Sequence, residues 1–215
     1  MSADVAGSDG GASSSSSTRD LCATAEMCHF AFDLLSSHFS KSVRPELPPL
    51  PAGCPEAPLF ITWEKRAAGR PRDPWDLRGC IGTLSPSKLA ESIPQYVLTS
   101  ALRDSRFNAI AQAEMPSLRV SVSLLVKFEE CADCYDWEIG KHGLIVNFLR
   151  GYSATYLPEV AREHNMTKQY AVESLIKKAG YNGKVDEKDL RCTRYQSSKC
   201  TVTYDEWLSV SSRSR

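Results

Sequence analysis

A cysteine set between glycines, two residues after an arginine, is the densest chemistry in the chain. It lies in LRGCIGTL, residues 77–84, where Arg78 leads into Gly79, Cys80, Ile81, Gly82 and Thr83. A thiol becomes a nucleophile or a redox group when a cation or backbone N–H groups stabilise its thiolate. Arg78 could supply that cation or clamp an anionic ligand, and Gly79 and Gly82 could let backbone N–H groups face a ligand. Alternation along a strand would put Arg78 and Cys80 on one face. The competing reading is structural. Free cysteine is among the most buried residue types, and glycine within a strand marks a bend or a close approach.

Other residues offer weaker chemistry. His142 sits in a Gly-Lys-His-Gly turn, where a histidine could act as base or proton shuttle or could simply be solvated. No local spacing ties it to Cys80. The C-x-x-C pair Cys131 and Cys134 has no second pair at zinc-site spacing and no strand–helix setting of a redox motif, so no metal site is read there. Arg103, Asp104 and Arg106 cluster in LRDSRF; they could close on each other, or Arg106 could join Arg78 in binding an anion. Arg194, Tyr195 and Lys199 form a basic-aromatic group on what reads as a strand edge.

The balance of charge sets the ranking. Lys plus Arg and Asp plus Glu are both 26 over 215 residues, a formal net charge of zero, which disfavours nucleic-acid binding by bulk electrostatics. No apolar run is long enough for a membrane span, and the first residues lack the pattern of a secretory signal. Eight cysteines without such a signal favour reduced thiols over a disulfide framework. No P-loop, G-x-G-x-x-G, H-E-x-x-H or G-x-S-x-G motif is present.

Elements must position these groups. Residues 1–19, rich in Gly and Ser, read as a disordered tail, residues 20–209 as one domain, and residues 210–215 as a frayed end. Helical spacing predicts a helix over 21–39 with Asp20 as its cap. A proline-rich connector over 44–58 leads to a strand at 59–63 and a polar loop over 64–76. A helix over 87–104 is expected to break at Pro94 or restart there. Residues 119–128 alternate as a strand, 136–149 read as two short strands joined at Gly140–Gly143, and Pro158 opens a short helix. Thr167 caps another helix that Gly180 ends, and 190–196 with 199–204 read as a closing pair of strands. The mixture lacks a βαβ period, so the class is α+β or irregular α/β.

LRGCIGTL, LTSALRDSRF, SVSLL, DWEIGKHG, ATYLPEVA, SLIKKAGYNG and TRYQSS, in that order, resemble the AMMECR domain family over roughly residues 24–208. The resemblance implies an α+β fold: a mixed sheet flanked by helices, a smaller inserted subdomain, and a groove between them beside the signature. It implies an intracellular setting, cytoplasmic or nuclear, but no particular reaction, and identifies no cofactor. Leu77 to Thr83 match the signature, Asp104 to Phe107 a second block, and Trp137, Glu138, Gly140, His142 and Gly143 a third. Pro94 and a short segment after Phe148 depart from the pattern.

Three functions compete. A binding module would use the groove around Arg78, Gly79, Gly82, Thr83 and Arg106 to hold a small molecule or partner protein. An enzyme would use Cys80 as nucleophile or redox thiol with Arg78 and His142. Nucleic-acid binding through Arg106 and Arg194 ranks last on charge.

Overall fold

A computed structural model describes residues 21–50, 56–67, 69, 74–149 and 151–211. The expected disordered tail over 1–19 and the Asp20 cap lie outside the described residues, as does the end of the chain beyond 211. In chain order the elements are α1 (Ala25–Ser40), β1 (Glu56–Arg66), β2 (Trp75–Lys88), α2 (Leu89–Leu102), a 3-10 turn (Gln112–Ser117) and β3 (Leu118–Glu130). There follow β4 (Gly143–Phe148), β5 (Tyr152–Tyr156), α3 (Pro158–Glu163), α4 (Lys168–Lys178), a second 3-10 turn (Glu187–Asp189), β6 (Arg191–Thr203) and α5 (Tyr204–Ser211).

The six strands form one sheet in the order β2-β1-β3-β6-β4-β5. The class is α+β as expected, and every pairing is antiparallel, where the resemblance implied a mixed sheet. Two buried clusters flank it. In the first, Leu59, Ile61 and Trp63 of β1 and Val120, Val122 and Leu124 of β3 pack against α1, α2 and α5. Alternation in β1 sends Phe60, Thr62 and Glu64 to the opposite face, where they are half-buried. In the second, Leu144, Val146 and Phe148 of β4 meet Ala171, Val172 and Leu175 of α4. β6 serves both: Val202 belongs to the first cluster and Cys192 to the second.

Four local expectations change. The two strands read over 190–196 and 199–204 are one continuous strand, Arg191–Thr203, because Gln196, Ser197 and Ser198 pair with Val126, Leu125 and Leu124 instead of turning. Residues 136–142 are turns rather than a strand; the hairpin is β4–β5. α2 continues through Pro94 without a break. Val210 and Ser211, read as frayed, belong to α5, whose Trp207 stacks on Phe32 at 5.4 Å and donates its indole N–H to Asp33. The Thr167 cap is as expected: its hydroxyl accepts the Tyr170 N–H.

Candidate functional site

The signature occupies edge strand β2. Its two glycines answer to close packing. A Cβ on Gly79 would stand 2.0 Å from the Ser100 carbonyl oxygen of α2, and one on Gly82 would stand 2.1 Å from the Leu59 carbonyl oxygen and 2.5 Å from the Phe60 ring. Only glycine lets β2 lie this close to α2 and β1.

Arg78 and Cys80 part company. Trp63 pairs with Gly79 and Glu64 with Leu77, so Arg78 is the extra residue of a β-bulge, and the bulge resets the alternation. The Arg78 guanidinium donates to both carboxylate oxygens of Glu114, at 3.1 and 3.0 Å, and to the carbonyls of Asn108 and Ala109 at 2.6 and 3.2 Å. Glu114 also accepts from Lys65 at 2.9 Å and from the Ala111 N–H at 2.9 Å. The Arg78 hydrogen bonds, foremost, pull the Glu114 carboxyl down to about 2. Arg78 is thus committed to tying the 108–114 segment onto β2.

Cys80 is half-buried, and the Thr62 hydroxyl donates to its Sγ at 3.3 Å. Thr62, Cys80, Ser121 and Thr201 are register partners across β2, β1, β3 and β6. They form a row of one thiol and three hydroxyls on the sheet face away from α1 and α2, with Ser121 and Thr201 joined at 2.8 Å. The backbone of Cys80 turns to the open edge of β2. Its N–H donates to Asp104 Oδ2 at 2.8 Å, and its carbonyl accepts from Arg106 Nη2 at 2.9 Å. Arg106 and Asp104 close a bidentate ion pair at 3.0 and 2.7 Å. These Arg106 bonds, above all, hold the buried Asp104 carboxyl well below the usual carboxylate range. The Arg106 side chain stays 55% exposed. Leu77 and Leu84, near the two ends of the strand, are 43% and 42% exposed. The Thr83 hydroxyl is engaged locally, accepting the Ser85 N–H at 3.1 Å.

His142 lies elsewhere. It precedes β4, separated from β2 by β1, β3 and β6 in the sheet order. It is buried, and its Nδ1 accepts the Glu138 N–H at 3.0 Å. Burial, the largest influence, lowers its pKa. Arg194 is paired with Glu129 and Asp136 at 2.9 and 2.5 Å, and Tyr195 is fully buried on a central strand rather than an edge. Among the described residues no group of three or more His, Cys, Asp or Glu side chains is arranged to hold a metal ion. No helix is long and apolar enough to cross a membrane among those residues. The sequence reading missed Thr62, Ser121 and Thr201. Their signal was the polar half of three strands, β1, β3 and β6, which only the register turns into a row.

The family model for AMMECR1 matches residues 28–200, from within α1 to near the end of β6. The chain belongs to the AMMECR1 family. An uncharacterized protein of Arabidopsis thaliana is 44% identical over 196 residues, covering 87% of this chain and 88% of that one. A relative from Schizosaccharomyces pombe, also uncharacterized, is 34% identical over 186 residues and covers 85% and 94%. The crystal structure of an uncharacterized protein from Pyrococcus horikoshii superposes with a TM-score of 0.64 at 26% identity, covering 81% of this chain and 89% of that one. The AMMECR1 matches span the signature, the Asp104–Arg106 pair and the second cluster together, so the fold around Cys80 is that of the family.

Proposed function

We propose that this AMMECR1 chain is a non-catalytic binding module, a scaffold or regulator, and that the β2 face around Cys80 receives a partner protein or peptide. The observation that carries the reading is the make-up of that face. An exposed guanidinium, held rigid by Asp104 at Cys80, lies along β2 between two exposed leucines, and the half-buried Thr62 and exposed Thr201 add hydroxyls to the Cys80 face. An arginine anchor within an apolar and hydroxyl surface is the composition of a protein interface. The enzyme reading asks Cys80, Arg78 and His142 to act together. It loses support because Arg78 is engaged by Glu114 and His142 sits on the other half of the sheet. The intracellular setting follows from the family resemblance; the seven cysteines among the described residues are all free, in keeping with it.

A photo-crosslinking residue in place of Leu84 tests the reading. It should give one discrete adduct in cells, lost in Leu77→Glu and Arg106→Ala but kept in Cys80→Ser. Under the same reading a mild alkylating reagent labels Cys80 no faster than the exposed Cys22. Selective labelling of Cys80, with adducts lost in Cys80→Ser, would hand the site to the enzyme reading. Changes at Gly79 or Gly82 do not discriminate, because they break the packing of β2 first.

A further inference from the structure

The C-x-x-C pair finds no partner in the sequence, but the fold brings it a third cysteine. At the outer end of the β3–β6 ladder Glu129 faces Arg194 and Glu130 faces Thr193. One step further, the Cys131 N–H donates to the Cys192 carbonyl at 2.9 Å, which continues the ladder and sets Cys131 opposite Cys192. Opposed residues of an antiparallel pair share a face and hold their Cα atoms about 4.5–5.5 Å apart. Disulfides span Cα separations of about 4.4–6.8 Å. Both side chains pack on the second cluster and line one cleft of about 290 Å³. Cys131 is half-buried and Cys192 is 7% exposed. Cys134 is buried in the following turn, where the Trp137 indole N–H pins its carbonyl at 3.0 Å.

We propose that Cys131 and Cys192 are an oxidative modification site, joined as a cross-strand disulfide by exchange with a low-molecular-weight disulfide of the glutathione type. The more accessible Cys131 loses its proton to solvent, and its thiolate attacks one sulfur of the small disulfide. That S–S bond breaks, and one small thiolate leaves and takes up a proton. Cys192, deprotonated in turn, attacks Sγ of Cys131 in the mixed disulfide; the protein S–S bond forms and the second small thiol departs. Two protein thiols are oxidised and one small disulfide is reduced to two thiols. Burial raises the Cys131 thiol and pushes Cys192 up to about 12, so both reduced thiols are protonated at neutral pH. The bond would lock β3 to β6 beside the turn that carries Trp137.

The test uses the full chain, treated with oxidised glutathione, quenched in acid, alkylated and mapped by mass spectrometry. The expected product links the Cys131 and Cys192 peptides, and Cys134→Ser still forms it. Cys192→Ser should accumulate the glutathione adduct on Cys131, and Cys131→Ser should leave Cys192 at least about tenfold less modified, in keeping with its lower accessibility. A Cys131–Cys134 link, or oxidation confined to cysteines other than Cys131, would overturn the assignment. The wild-type map decides between these even where a variant fails to fold.

Discussion

At the scale of single residues, the buried His142 and the half-buried Glu114 give the protein a two-stage response to acid. His142 is lowered by burial, so the unfolded chain takes up a proton near pH 6.5 that the folded chain resists. Stability should therefore decline as pH drops below about 6.5, and His142→Asn, which keeps an acceptor for the Glu138 N–H, should flatten that slope. Glu114 acts lower down. Its carboxyl moves from an ordinary 4.5 to about 2, which corresponds to about 3 kcal/mol of stability at neutral pH. That contribution is present above about pH 4.5 and fades as pH falls towards 2. Urea denaturation across this range should show Glu114→Gln less stable at pH 7 and level with wild type near pH 2. Arg106→Ala strips a buried carboxylate of its guanidinium, and because Arg106 is half exposed the expected cost is about 1–2 kcal/mol. Residue types in LRGCIGTL and LRDSRF drew attention to Arg78, Cys80 and Arg106. What each one touches depended on a single bulge that alternation does not announce.

At the scale of elements, the glycines of β2 set how closely the sheet and α2 approach. Gly79→Ala forces a methyl group into the Ser100 carbonyl, so α2 must shift; the expected loss is about 1–3 kcal/mol, seen as a lower melting temperature with unchanged secondary structure by circular dichroism. Elements with a strong period or a cap were legible: α1, β3, and α4 with its Thr167 cap. Elements defined by partners were not. Gln196, Ser197 and Ser198 look like a turn by composition, yet β3 supplies them with a ladder, and tertiary pairing overrides that local preference. Trp137 reads as a strand residue and instead anchors a turn, its indole spent on the Cys134 carbonyl. The helix over Tyr204–Ser211 went unread because its polar end masks the contact of Trp207 with Phe32.

At the scale of the whole molecule, β6 runs through both buried clusters and couples them. Ile61→Ala in the first and Leu175→Ala in the second, both at fully buried positions, should each cost about 2–5 kcal/mol. Both should lower one shared transition instead of splitting it. Chains retaining only Trp63 or only Trp137, one reporter in each cluster, should give coincident unfolding midpoints by fluorescence. Two separate midpoints would mean that β6 does not transmit order between the halves. The same topology holds Cys80 and His142 apart, so the likeness of this chain to its relatives speaks for a shared scaffold.

The Asp104–Arg106 pair has a further consequence. On the free side of β2 it offers a carboxylate to the Cys80 N–H and a guanidinium to the Cys80 carbonyl, the two partners that a seventh strand would otherwise provide. The pair is a counterfeit strand, and it occupies the place where another copy of the chain could add on. Chains without it would leave that rung open for self-templated growth, so losing Asp104 should show first as turbidity on concentration, before any loss of fold.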